Sequence, residues 1–92
     1  MLKSQKQYAL LQHPNVRKRL KSIPRQDRLR IQKKIESLAQ TPRPKSCEKL
    51  KKVDAYRLRI GDYRIVYRVD DKNSIVVIDA IGHRSQIYHH RA

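Results

Sequence analysis

Of the 92 residues none is Trp or Phe, two are Gly and one is Cys. A lone Cys47 can form no internal disulfide and has no metal-ligand companion at a useful spacing, so neither a disulfide scaffold nor a metal centre is expected. No apolar run is long enough to span a membrane, and no n-region/h-region signal peptide is present; the expected place is the cytoplasm, away from membranes. Repeats and low-complexity segments are missing, and residues 1–92 read as a single domain. Acidic residues are scarce: eight against 23 Lys plus Arg, a formal net charge of +15. A chain so charged repels itself and attracts polyanions, which makes nucleic acid or an acidic protein the default partner. Residues 1–52 hold 16 basic and three acidic residues, and residues 53–92 hold seven and five. That division suits docking through the first half and action at one phosphate through the second.

The most structured stretch is Tyr56–Val69, which alternates Tyr, Leu, Ile and Val with arginine at period two. Gly61-Asp62 in its middle predicts a two-residue type II′ hairpin, with positive φ at Gly61. In that register Ile60 faces Tyr63, Arg59 faces Arg64, Leu58 faces Ile65 and Arg57 faces Val66. Directly opposed residues share a face, so Tyr56, Leu58, Ile60, Tyr63, Ile65 and Tyr67 form a core surface. Arg57, Arg59, Arg64 and Arg68 form the other. Like charges directly opposed destabilise a hairpin, and no acidic residue of the hairpin lies on that face. An anion site, most naturally for phosphate, is expected there; the alternative is a solvated face that meets only a protein partner.

Earlier in the chain, Tyr8–Leu11 reads as a short edge strand. Val16, Leu20 and Ile23 at i, i+4, i+7 after Pro14 predict a helix over about 15–21. A longer helix runs from Pro24 to about Gln40, with Ile31, Ile35, Leu38 and Ala39 as its apolar stripe, and ends at Thr41-Pro42-Arg43-Pro44. Leu29 lies off the stripe. Residues 45–53 are a basic connector with Leu50 and Val53 as anchors. Asp70–Asn73 is a turn, and Ile75–Ile81 is a nearly continuous apolar strand, either central or covered on both faces. Its antiparallel return brings His83 and Arg84 back toward Arg64 and the Gly61-Asp62 turn, so Arg57, Arg59, Arg64, His83 and Arg84 are expected to converge. The fold class is α+β: a helical hairpin on a mostly antiparallel sheet of about four strands, in the order β-α-α-β-β-β.

Several of these segments resemble the RelE/ParE toxin superfamily on its RelE side. They are Leu38–Pro44, Leu50, Tyr56–Arg59, Gly61–Tyr67 and Ile81-Gly82-His83-Arg84-Ser85-Gln86-Ile87-Tyr88, within residues 14–88. The resemblance implies a small RelE-like, microbial-RNase-like domain. It implies the toxin of a type II toxin–antitoxin pair, a metal-independent endoribonuclease with no cofactor. Such a toxin enters the ribosomal A site and cuts mRNA there by 2′-OH attack on the adjacent phosphate. Partners implied are a RelB-like antitoxin, the ribosome and mRNA, and operator DNA only as the toxin–antitoxin complex; the chain would be a monomer when free and a hetero-oligomer with its antitoxin. Carried over by position, Arg57, Arg59, Arg64, Arg84 and Tyr88 occupy the family's functional places and are the expected RNA- and phosphate-binding residues; the expected catalytic residues are Arg59, Arg64, His83, Arg84 and Tyr88.

At Arg57 and Arg59 the family can carry lysine, one of them proposed as a base. Arginine stays protonated, so Arg59 can clamp a phosphate and stabilise its oxyanion but cannot accept a proton. His83 is the first candidate for proton transfer, since its ordinary pKa of about 6.5 suits it and cationic neighbours would lower it toward a base. Tyr88 is either a packing residue or a stacking platform for a base, which is worth roughly 1–3 kcal/mol. His89-His90 lacks the companions of a metal site. The competing expectation is a non-catalytic module, either a ParE-like gyrase inhibitor or a degenerate chain that binds only its antitoxin and DNA.

Overall fold

A computed structural model describes residues 7–84. Five strands form one sheet: β1 (Ala9–Gln12), β2 (Glu48–Lys49), β3 (Tyr56–Ile60), β4 (Tyr63–Asp70) and β5 (Ile75–His83), in the spatial order β1-β5-β4-β3-β2. Strand β1 runs parallel to β5, and every other pairing is antiparallel. Helices α1 (Pro14–Ser22) and α2 (Arg25–Ser37) lie between β1 and β2 in sequence. The architecture is α+β as expected, with one strand more; the addition, β2, lies inside the basic connector.

Helix α1 is started and stopped by local chemistry. His13 caps α1 by accepting the Asn15 N–H on Nδ1 at 3.1 Å, and Pro14 occupies the first turn, where a missing N–H costs nothing. Ile23 is extended because Pro24 follows it, and this ends α1. Val16, Leu20 and Ile23 are buried from α1 and its exit, and Ile31, Ile35 and Leu38 from α2 and its exit. Leu29 is half exposed, so it covers nothing. These residues pack with Leu58, Ile65, Tyr67, Val76, Ile78 and Ile81 on one sheet face. Burying each such side chain stabilises the fold by about 1.5–3 kcal/mol.

The hairpin register matches the expected one at all five positions, from Ile60↔Tyr63 to Tyr56↔Tyr67. Gly61 has φ +59°, and Asp62 does not share the positive sign, as a II′ turn requires. Strand β5 is central, flanked by β1 and β4, which accounts for its apolar run without a cover on both faces. It contains a bulge. Val66 pairs with Ala80 but Tyr67 pairs with Ile78, so Asp79 is an extra residue. The alternation therefore resets, and Ile78 and Ile81, three apart, both face the core.

The connector anchors differ from expectation. Val53 is 56% exposed, while Ala55, whose carbonyl accepts the Leu50 N–H, is 4% exposed and takes its place. Cys47 packs against the core edge.

Gly61→Ala should lower unfolding stability by roughly 1–2 kcal/mol, because an L-residue is strained at this φ. The added Cβ would also meet Arg30 Nη2 at 2.9 Å, although that guanidinium end can move. Urea denaturation should show a lower midpoint at unchanged slope.

Candidate functional site

With the helices on one face, the other face of the hairpin is left open, and the period of two places Arg57, Arg59 and Arg64 there together. A cleft of about 270 Å³ on this face is lined by Ser46, Glu48, Arg57, Arg59 and Arg64. Arg59 and Arg64 are directly opposed across β3 and β4. Arg64 is 7% exposed, the buried charge among the described residues. It sits opposite Gly82, whose missing side chain leaves room beside it, and its Nη1 donates to the Tyr63 carbonyl at 3.5 Å. Arg64 thus places a nearly buried guanidinium in the cleft that Arg57, Arg59 and Glu48 also line.

The open face is not free of acid, which corrects the expectation from the hairpin alone. Glu48 on β2 is directly opposed to Arg57, and its Oε1 accepts from Arg57 Nε at 3.2 Å and Nη2 at 2.7 Å. The hydrogen bond from Arg57, then the charge of Arg57, and more weakly Arg59 and Arg64, hold the Glu48 carboxyl below the usual carboxylate range. Sequence reasoning passed over Glu48 because it lay in a connector without periodicity; a lone acid between basic residues, one strand away from four arginines, was the available signal. Ser46 was missed for the same reason. Arg68 is set apart from the cleft. Asp79, turned outward at the bulge, receives its Nε at 2.6 Å and its Nη2 at 2.8 Å.

His83 does not join the arginines. It is directly opposed to Tyr63, on the helix-facing side, with the two rings edge to face at 5.7 Å. A separate cavity there is lined by Arg19, Ser22, Ile23, Tyr63, Gly82 and His83. The bulge is the physical reason: strict alternation of the same sequence onward from Ile78 would carry His83 to the open face. Arg84 lies at the expected end of the hairpin, its N–H donating to the Asp62 carbonyl at 2.8 Å, and it is exposed. Tyr88, with His89 and His90, lies outside the described residues. Among the described residues no group of three or more His, Cys, Asp or Glu gathers to hold a metal, and no helix is long and apolar enough to cross a membrane.

A two-layer α+β sheet with an arginine cleft on its open face defines a recognisable class. Residues 10–88 match the family described as ParE toxin of the type II toxin–antitoxin system parDE. A RelE-type relative from Methanocaldococcus jannaschii is 32% identical over 80 residues, covering 83% of this chain and 89% of its own. The crystal structure of the archaeal RelE–RelB complex from Pyrococcus horikoshii OT3 superposes with a TM-score of 0.79 at 30% identity, covering 87% of this chain and 98% of that one. The toxin–antitoxin complex RelBE2 of Mycobacterium tuberculosis gives 0.75 at 25%, covering 85% and 99%. The chain belongs to the RelE/ParE superfamily of type II toxin–antitoxin toxins.

Replacing Arg59 with Thr should relieve the like-charge pair with Arg64 and raise stability by about 0.2–1 kcal/mol. The gain, read by urea denaturation, should shrink as salt is added.

Proposed function

We propose that this toxin is a metal-independent, ribosome-dependent endoribonuclease that cuts mRNA in the A site, acting in the cytoplasm. One observation carries the reading: three arginines, one of them buried, line a single cleft together with an ionised carboxylate. In this scheme Arg57, Arg59 and Arg64 bind the scissile phosphate, and Arg59 and Arg64 stabilise the pentacoordinate oxyanion as negative charge builds on it. The ribose 2′-oxygen attacks the adjacent phosphorus and the bond to the 5′-oxygen breaks, leaving a 2′,3′-cyclic phosphate and a 5′-hydroxyl. Glu48 accepts the 2′-hydroxyl proton on Oε2, since Oε1 is held by Arg57, and the departing 5′-oxygen takes a proton from solvent. This assignment moves proton transfer from His83, which packs on Tyr63 across the sheet, to a group in the cleft. Arg84 contacts the phosphate on the leaving-group side and Tyr88 stacks on a base, both by family position.

Docking on the ribosome falls to α1 and α2, which carry the exposed Arg17, Lys18, Arg19, Lys21, Arg25 and Lys33. Their contribution is nonspecific and falls with salt. A RelB-like antitoxin binds the toxin, a reading supported by the likeness to solved RelE–RelB and RelBE2 complexes, and the complex rather than the free toxin meets operator DNA. The ParE description of the matching family favours a second reading, a non-catalytic gyrase inhibitor, whose expression would damage DNA rather than arrest translation.

Primer extension on a reporter mRNA, with purified protein and stalled ribosomes, should map cuts inside the A-site codon. Arg64→Ala should slow them by about 10²–10³-fold, as expected for losing one oxyanion donor. Glu48→Gln should slow them by about 10²–10⁴-fold. Intact mRNA in the presence of folded wild-type protein would overturn the nuclease.

A further inference from the structure

Strand β2 has two residues, too few to specify its own register. Glu48 faces the cleft because it is paired with Arg57, while Lys49, paired with Tyr56, faces the other way, its Nζ 5.7 Å from the centre of the Tyr56 ring. A slip of one residue would exchange the two and put a lysine in the cleft. On the far side of β2 the Leu50 N–H to Ala55 carbonyl bond continues the same register, and on the near side the loop before it is tied down at Arg43. Arg43 Nε donates to the Tyr56 hydroxyl at 2.9 Å, and its guanidinium carbon lies 5.3 Å from that ring's centre. Its Nη1 and Nη2 donate to the two carboxylate oxygens of Asp71 at 3.2 and 2.8 Å. One residue earlier, the Pro42 carbonyl accepts the buried Tyr67 hydroxyl at 2.8 Å. Tyr56 and Tyr67 are stacked at 5.7 Å, so the two anchors share one aromatic platform. Neither Tyr56 nor Asp71 lines the arginine cleft.

We propose that Arg43 is a positioning residue for the arginine cleft. By bridging Tyr56 on β3 and Asp71 in the β4–β5 turn, it fixes the loop that sets the register of β2 and keeps Glu48 against Arg57. The effect on cleavage rests on the nuclease reading; the effect on Glu48 does not. A bidentate guanidinium over a ring is a geometry that lysine cannot reproduce.

The test pairs two readouts on Arg43→Ala, Tyr56→Phe and Tyr8→Phe. Tyr8→Phe is the control, because the Tyr8 hydroxyl donates to the same Asp71 carboxylate at 2.7 Å from the β1 side, so the substitution leaves the bonds of Arg43 to Tyr56 and Asp71 in place. The first readout is the titration midpoint of the Glu48 side-chain carboxyl by carbon-detected NMR, which senses Arg57, Arg59 and Arg64 facing it. In Arg43→Ala the midpoint should rise toward the ordinary carboxylate value, and Tyr56→Phe, which keeps the ring stack, should move it in the same direction by less. The second is single-turnover cleavage on stalled ribosomes. Its maximal rate should fall by about 10–100-fold in Arg43→Ala, as misplacement of a reacting group by about 1 Å does, with the half-saturating concentration within about threefold. Tyr8→Phe should leave midpoint and rate unchanged. An unmoved Glu48 midpoint in Arg43→Ala, or in Tyr56→Phe if Arg43→Ala does not fold, overturns the proposal. So does an equal shift in Tyr8→Phe, which would mean general loosening. Should wild-type protein cut nothing, the nuclease reading falls and the Glu48 titration alone decides the role of Arg43.

Discussion

One extra residue in β5 governs which side chains reach each face of the sheet. The bulge at Asp79 resets the alternation between Ile78 and Ile81, so that both enter the core opposite Tyr67 and Ile65. The same reset turns Asp79 outward, where its carboxylate pairs with Nε and Nη2 of Arg68. It also places Gly82 opposite Arg64 and His83 opposite Tyr63. A glycine beside Arg64 leaves space for a buried guanidinium; an uninterrupted strand would have put a bulkier neighbour there and carried the imidazole to the open face. Core packing, the removal of Arg68 from the cleft and the separation of His83 from the arginines are therefore consequences of a single irregularity.

The cleft itself runs against stability. Arg59 and Arg64 face one another, Arg64 is nearly buried, and Arg57 lies on the next diagonal. Glu48 relieves part of the repulsion through Arg57, an arrangement that is itself modest in energy because the carboxylate is more than half exposed. What remains is a concentration of positive potential in a fixed geometry, as the proposed oxyanion role requires. The hydrogen bond from Arg57 keeps Glu48 ionised further into acid than a free carboxyl. The stability it contributes is therefore present above the ordinary carboxylate pKa and is lost as pH falls through its depressed value.

Much of this was legible from local patterns. The II′ turn at Gly61-Asp62 and all five hairpin pairs follow from period-two alternation around one glycine, because a two-residue loop leaves the register no freedom. The helical stripes of Val16, Leu20 and Ile23 and of Ile31, Ile35 and Leu38 follow from the 3.6-residue period and the prolines that bound them. The bulge was hidden because Ile75–Ile81 is apolar almost throughout, and a run without alternation carries no phase. Strand β2 was hidden because two residues show no period at all, and with it went Glu48 and Ser46.

The amino-acid order by itself determined the two helices, the hairpin, its register and the gathering of Arg57, Arg59 and Arg64 on one face. Each depends on neighbours within a few residues or across one tight turn, where covalent geometry dictates the outcome. Tertiary structure decided which residues join them. Glu48 reaches the cleft through the edge pairing of β2 with β3, and His83 leaves it through a bulge in β5 where it pairs with β4. Both depend on contacts between segments distant in sequence, which a local pattern does not encode.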